Sequence, residues 1–523
     1  MKKQKYTYAK AFIVLLVSVL GACSDQGIID SDSDKALGPE STRGKVIAPL
    51  ASPVGDVVGK LVVGYQGWFA CAGDGSAYNT WVHWGGGAQG PRPGNQTFDL
   101  WPDVREYTTT YQTGYANLGN GQPARLFSSW DPQVVNKHFE WMQQHGIDCA
   151  AMQRFGKSDG QKDGIATRVR NAAQTYGRKF FIMYDLSGWT NFQSEIKTDW
   201  TNAIVGNLNL TGSSAYAIQN GKPVVCIWGM GVADRPGNVT SYLDVINWFK
   251  SQGCFVIIGV PRDWRNQTAN LPAFDAANMI TPWAVGTFNS LAGADSYIPV
   301  MQADLAYCNA RNMDYMPVIW PGFSWANWNG GAQNQIPRLH GDFMWRQFYN
   351  VKNAGMSTGY VAMFDEYDEG TAIAKAAENA SMRPTNQWFL SLDADGVAVS
   401  SDFYLRLTRD GAQMLKGQIG LTPNHPTPHT TSSGAGVVFY QDINYGGAAS
   451  QALPVGNYTL AQLAALGVPN DWASSVRVPA GRTLIMYSDD NFSGISWTRT
   501  ADTPNFTTLS PNANDLVSSV RVQ

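Results

Sequence analysis

From Val62 to the neighbourhood of Leu415 the chain alternates short apolar runs with segments of helical period, and this alternation constrains the fold more than any other feature. The apolar runs cover 62–69, 148–155, 179–186, 223–229, 254–260, 280–287, 315–320 and 359–365. Between them the spacing predicts helices over 132–145, 164–176, 192–205, 239–251, 298–311 and 342–354, with a further one over 402–415. Strands alternating with helices form βα units around a parallel sheet. Eight such units predict a (β/α)8 TIM-like barrel carrying loop insertions rather than an open sheet. The 523 residues, 44% of them apolar, leave room for two or three domains.

A barrel of this kind carries its chemistry at the C-terminal ends of its strands. Here those ends are aromatic and polar: Tyr65, Gln66 and Trp68 on the first, Gln153, Arg154 and Phe155 on the second, Tyr184 and Asp185 on the third. Trp228, Trp264, Trp283 and Trp320 follow on the fourth to seventh. Tyr65, Trp68, Arg154, Asp185, Trp228, Trp264, Trp320 and Tyr367 are the candidate substrate-binding residues. Each tryptophan is either a stacking platform or core, and Arg154 and Asp185 either bind hydroxyls or satisfy each other.

The eighth run ends in Asp365-Glu366-Tyr367-Asp368-Glu369-Gly370-Thr371. If the chain turns there, Glu366 and Glu369 lie within about 7 Å at Cα, and their carboxyl groups flank one bond of a substrate, as glycoside hydrolysis requires. The alternative is a solvated loop, or acids placed at the N-terminal end of a helix over 371–382. A net charge of −3 with 15% charged residues offers no basic surface for nucleic acid and points to a neutral ligand. None of the six histidines forms HxxxH or HExxH and none of the six cysteines forms CxxC, so no metal or other cofactor is expected in catalysis.

The stretch after strand eight resembles the endo-acting mannosidases of glycoside hydrolase family 99 and the related family 71 glucanases, whose last barrel strand carries Asn-Glu-Trp-X-Glu-Gly-Thr. Both glutamates, the glycine and the threonine are in place, while Asp365 stands for Asn, Tyr367 for Trp, and Asp368 adds a charge between the glutamates. Gly64-Tyr-Gln-Gly-Trp-Phe69 and Pro321-Gly322-Phe323 look like that family's opening strand and its loop after strand seven. The resemblance covers roughly residues 50–420. It implies that Glu369 is the general acid and base, and that Glu366 takes the proton of the sugar's own 2-hydroxyl, which attacks C1 with net retention. The departures keep mannan specificity and endo or exo mode open.

The N-terminus carries Lys2, Lys3, Lys5 and Lys10 before an apolar run over 11–20, too short to span a bilayer comfortably, so residues 1–23 read as a signal peptide. Leu20-Gly-Ala-Cys23 resembles a bacterial lipobox, which implies Cys23 as a lipidated membrane anchor. Ser24 after it favours the outer membrane, and 24–49 reads as a polar tether. A domain over 50–420 follows.

Residues 421–436 form a Pro/Thr/Ser/Gly linker. Beyond it, over 437–523, lies a duplication: Tyr440 to Gly447 recurs as Tyr487 to Gly494, and Asn470-Asp-Trp-Ala-Ser-Ser475 recurs as Asn514-Asp-Leu-Val-Ser-Ser519. Two copies rich in strand formers and turn residues predict a small all-β Greek-key sandwich. The repeat looks like the βγ-crystallin double Greek key and its calcium motif. It implies Ca2+ held by oxygens of Asn470, Asp471 and Ser474 and of Asn514, Asp515 and Ser518. The alternative is that these residues only make Asx-turns. The leading expectation is a retaining, lipid-anchored glycoside hydrolase acting on an external poly- or oligosaccharide. A surface glycan-binding lipoprotein without catalysis is its alternative.

Overall fold

The computed structural model describes residues 51–523 except 88, 431–435, 455, 480 and 481. The expected signal peptide, Cys23 and the tether lie outside the described residues, as does part of the linker. The chain divides into two compact units that part between Thr427 and Pro428.

The first unit is built on a curled parallel sheet of nine strands, an arrangement consistent with a TIM-like fold. In chain order they are β1 (Leu61–Tyr65), β2 (Cys149–Phe155), β3 (Lys179–Asp185), β4 (Lys222–Trp228), β5 (Phe255–Pro261), β6 (Met279–Trp283), β7 (Asp314–Tyr315), β8 (Val318–Ile319) and β9 (Gly359–Val361). Their order across the sheet is β7-β6-β5-β4-β3-β2-β1-β9-β8, with Ile218–Gln219 added antiparallel to β4. Strands covered by helices are buried on both faces and stay apolar along their length; all five residues of β1 are buried. The seventh apolar run is two strands rather than one, because Pro317 has no N–H to donate. β7 pairs with β6 and β8 with β9, so the two ends of the sheet are pieces of chain separated only by Met316 and Pro317.

Helices start where capping side chains permit. Asp159 accepts from the Lys162 amide ahead of Gly160–Thr175, and Asn238 forms a capping box with Ser241 ahead of Val239–Ser251. The helix expected over 192–205 is α-helical only over Phe192–Asp199 and continues as a π-helix, Trp200–Asn207. The helix considered over 371–382 is absent apart from a 3-10 turn, Ala380–Met382. Instead the chain doubles back on the end of β9: Thr371 and Ala372 donate to the Glu366 carbonyl, and Ala374 donates to that of Phe364. The four acids therefore do not cap a helix.

The second unit is mainly antiparallel. Gly456–Tyr458, Ser519–Val522, Leu484–Asp489 and Ser493–Arg499 form one sheet, Val438–Tyr440 pairs with Ser475–Arg477, and one short helix, Leu460–Ala465, departs from the all-β expectation. Its core includes Phe439, Val476, Met486, Trp497, Phe506 and Val520. The duplication extends to single bonds. The Ser475 hydroxyl donates to the Asp442 carbonyl at 2.7 Å and accepts the Tyr445 amide at 3.0 Å. Ser519 does the same with Asp489 at 2.7 Å and Phe492 at 2.9 Å.

Candidate active site

The acid-rich loop after β9 is held from several directions. The Asp365 carboxylate accepts the backbone N–H groups of Gln66 at 2.7 Å and Gly67 at 2.8 Å. Gly67 has φ +61°, a conformation that other residues adopt reluctantly, and this bend turns two successive amides onto one carboxylate. The Tyr367 carbonyl accepts from the Asp99 and Leu100 amides, and the Glu369 carbonyl accepts from Ser324 at 2.8 Å. Arg338 donates to the carbonyls of Gly370 and Ala372. The Tyr367 ring packs among Phe69, Trp84 and Phe127.

So fixed, Glu366 and Glu369 line one small cleft of about 50 Å³. Gln66, Gln153 and Asp185 give it polar walls, while Trp68, Phe155, Trp228, Trp283, Trp328 and Met363 give it apolar ones. Gln66 donates from Nε2 to Glu366 Oε2 at 2.7 Å, so the partner of this carboxyl is an amide and not a cation. The other carboxyl oxygen, Glu366 Oε1, has no hydrogen-bond partner among the described residues, and neither have Gln66 Oε1, Trp68 Nε1 and Asp368 Oδ1. Polar atoms buried this way are costly unless something else bonds them.

Burial sets the electrostatics. It pushes Glu366 well above the ordinary carboxyl range, helped by the charges of Glu369 and Asp365. Burial likewise raises Glu369 to about 7. Asp365 rises to about 6 because burial outweighs its two backbone hydrogen bonds. Asp368 is raised by burial and then by Glu366 and Glu369. Its contact with His83 Nδ1, at 2.6 Å, has the length of an ion pair. Burial also pushes His83 down to about 3, which favours the neutral imidazole in this short hydrogen bond. Carboxyls crowded on one loop do not ionise together easily, so the charge on one holds the proton on its neighbour more tightly.

Of the residues expected to bind substrate, Trp68, Asp185 and Trp228 line the cleft. Five do not, and strand parity or core packing explains each. Successive residues of a strand face opposite ways. Arg154 therefore points away from the cleft between Gln153 and Phe155, which line it; its guanidinium is bound to Asp199 and Asp163. Asp185 is met instead by Arg235 Nε at 3.3 Å, so Arg154 and Asp185 do not satisfy each other. Tyr65 faces the helix Pro132–Gln144, where its hydroxyl meets His138 Nδ1 at 3.0 Å. Trp264 packs on Phe274 and Tyr307, Trp320 on Phe288 and Phe343, and both are fully buried, as is Tyr367. Gln66, Gln153, Phe155 and Trp283 stand among the strand-end residues but not among the substrate-binding candidates, while Trp328 and Met363, and His83 behind the wall, are not singled out by the sequence. Counting parity back from Asp185 along paired strands would have found Gln153 and Phe155; His83 comes from a loop and Trp328 from the four-residue helix Ala326–Asn329, neither of which carries a period.

In the second unit the two duplicated loops meet. Ser474 Oγ lies 3.4 Å from Asp515 Oδ1, and Ser518 Oγ donates to Asn470 Oδ1 at 2.8 Å, each bond linking one repeat to the other. Asp471 and Asp515 occupy matching left-handed positions at φ 52° and 55°. Asn514 Oδ1 is buried without a partner. The donors gathered here are oxygens, and among the described residues no group of three His, Cys, Asp or Glu side chains is placed to hold a metal ion.

No family model matches the chain. Among solved structures it is similar to the GH99 endo-alpha-mannosidase from Bacteroides thetaiotaomicron, at 16% identity and TM-score 0.51, over 69% of this chain and 98% of that one. At that identity the likeness is one of fold. A smaller part of the chain is similar to a betagamma-crystallin domain from Clostridium beijerinckii, 49% identical over 17% of this chain and 95% of that chain, with TM-score 0.16. Development-specific protein S of Myxococcus xanthus is 47% identical over 70 residues, 13% of this chain. The match spans 38% of that relative's length.

Proposed function

We propose that the first unit is a (β/α)8 glycoside hydrolase that cleaves an external poly- or oligosaccharide with retention, Glu366 and Glu369 carrying the chemistry. One observation carries this reading: two carboxyls three residues apart line the same aromatic cleft, both raised by burial and neither bound to a cation. A group that ionises near 7 can both give and take a proton at neutral pH, which suits Glu369 to the acid and base role. Glu366 is held through one oxygen by Gln66, a bond that favours its ionised form against the burial that raises it, and its other oxygen, without a partner among the described residues, suits a fixed base for a sugar hydroxyl. In the first step the 2-hydroxyl gives its proton to Glu366 as O2 attacks C1. The C1 bond to the departing oxygen breaks, and that oxygen takes the proton of Glu369. Water, deprotonated by Glu369, then opens the 1,2-anhydro ring, and O2 recovers its proton from Glu366.

Among the described residues the cleft is lined by three acids, Asp185, Glu366 and Glu369, and by no basic residue, so it favours a neutral sugar over an anionic one. The GH99 structures that share the fold are endo-alpha-mannosidases, which makes α-mannan the first substrate to try. Glu366→Gln and Glu369→Gln are each expected to abolish its hydrolysis, read as released reducing ends, with circular dichroism unchanged. Full activity in either variant removes that residue from the mechanism, and tight binding without cleavage by the unaltered protein replaces hydrolysis with glycan capture.

Two further readings complete the proposal. Cys23 anchors the protein by a lipid to the bacterial outer membrane, with 24–49 as tether; mass spectrometry of the mature N-terminus tests this. The second unit binds Ca2+ through Asn470, Asp471, Ser474, Asn514, Asp515 and Ser518. Their all-oxygen donor set and the unpartnered Asn514 Oδ1 suit a hard cation.

A further inference from the structure

Behind the cleft wall lies an array that the acid and base chemistry does not use. The His83 ring lies on the Trp68 indole with centroids 3.7 Å apart and planes 7° from parallel. Its Nδ1 is 2.6 Å from Asp368 Oδ2. His83 takes φ +66°, a strained conformation for a residue with a side chain. It is fixed there by the bridge between Ala70 and Val82 and by Thr97, whose hydroxyl donates to the His83 carbonyl. Asp368 is fully buried, with its second oxygen unpartnered. A strained backbone and a buried acid are both unfavourable for the fold, and both converge on one imidazole whose ring face meets Trp68. Trp68 in turn lines the cleft beside Glu366.

We propose that Asp368 and His83 are positioning residues that lock the Trp68 indole as the wall against which the sugar ring at the cleavage point is held. The proposal rests on the hydrolase reading of the cleft and adds the residues that set its grip on the substrate. It also gives a role to the acid that stands between the two glutamates: Asp368 turns away from the substrate and acts through His83.

His83→Asn is the main test, because asparagine tolerates the left-handed backbone and its short amide cannot reproduce the ring stack. With α-mannan, His83→Asn and Asp368→Ala are expected to raise KM about tenfold, the scale of one aromatic contact, with kcat within about threefold. Neither effect adds to that of Trp68→Ala, since all three variants remove the same wall. Asp368→Asn can still bond the imidazole and restores a low KM to a position where alanine loses it. A fall in kcat at constant KM, or effects that add to Trp68→Ala, overturns the proposal. A second arm does not depend on hydrolysis. Subtracting each variant's Trp68→Phe counterpart isolates one of the 19 tryptophans. Acrylamide should quench the emission so isolated at least about twice as strongly in His83→Asn, because the stacked face is uncovered. Unchanged quenching overturns the lock. If the unaltered protein cleaves no glycan, the hydrolase reading falls while quenching still decides whether His83 holds Trp68.

Discussion

Gln66 donates from Nε2 to Oε2 of Glu366 at 2.7 Å, joining residues 300 positions apart in the chain. The pairing of β1 with β9, Val63 opposite Val361, brings the two together. The Gln66 amide is at the same time held by Asp365, so one residue of the first strand's end secures two adjacent acids of the last. A neutral donor favours the ionised form of Glu366 without cancelling its charge, whereas a cation in the same place would hold the carboxyl too far down to receive a proton.

Gln66→Ala should therefore impair the chemistry more than the fold. Hydrogen bonds to charged groups contribute about 1.5–3 kcal/mol, and losing one in the transition state lowers kcat by roughly ten- to a hundredfold. The melting temperature should move by a few degrees at most. Steady-state kinetics beside a thermal melt check this, and a kcat equal to that of the unaltered protein would remove Gln66 from the mechanism.

A pH dependence of stability follows from Glu369. Its folded value of about 7 lies above the ordinary 4.5, so the folded protein holds this proton more tightly than the unfolded chain does. The corresponding stability is fully present below pH 4.5, declines as the pH rises towards 7, and is gone above it. Glu369→Gln never ionises, so its melting temperature should match the unaltered protein at pH 4 and exceed it at about pH 8. The difference should open between the two pKa values and then level off. A difference that is the same at every pH contradicts the raised carboxyl. Hydrolysis should lose its alkaline limb near the same value, as the acid loses its proton.

Neighbours in sequence should part company in function. Arg154 is 1% exposed and bonds both oxygens of Asp199, each at 2.7 Å, while the Tyr184 hydroxyl holds Asp199 from the other side at 2.8 Å. Arg154→Met leaves that carboxylate buried without its cation and should destabilise the unit by about 3–5 kcal/mol. Gln153→Ala, one residue earlier, should leave the melt within about 1 kcal/mol and weaken turnover instead, as a loss of substrate contact on the cleft wall. Chemical denaturation and kinetics of both variants decide it, and the reverse assignment would mean that the parity of β2 is misplaced.

This contrast also marks how far the sequence could be read. The strands were legible because the curled sheet is buried on both faces, so a strand such as β1 is an uninterrupted apolar run. The same burial erased the alternation that tells inward from outward residues. Arg154 and Tyr65 thus looked as available as Gln153 and Gln66. The acid loop was legible because its residues are contiguous, and 359–371 fixes their relation in any fold. His83 and Trp328 were not, since only the fold brings their segments together beside the cleft. The missing helix over 371–382 has another cause: hydrogen bonds back to Glu366 and Phe364 at the end of β9 decide the local path there, and propensity does not. In the second unit duplication did the work of periodicity, because two copies of one loop mark the positions that must meet.

Those paired loops carry the last expectation. Each repeat lends an oxygen to the other, Ser474 to Asp515 and Ser518 to Asn470, and these bonds connect donors that Ca2+ would draw towards itself. Ca2+ takes six to eight oxygens at about 2.3–2.6 Å, and the aspartate, asparagine and serine side chains with nearby carbonyls suit that demand better than the octahedron Mg2+ requires. Binding to the folded state alone stabilises it by about 2.7 kcal/mol at a hundred times Kd. In calorimetry of the full chain, the transition of the second unit should therefore rise on adding Ca2+, fall back with a chelator, and respond less to Mg2+. Asp471→Ala and Asp515→Ala should each remove part of the rise and together all of it, while the transition of the first unit stays where it was. A second-unit transition indifferent to Ca2+ would leave these loops as turns whose side chains bond only to one another.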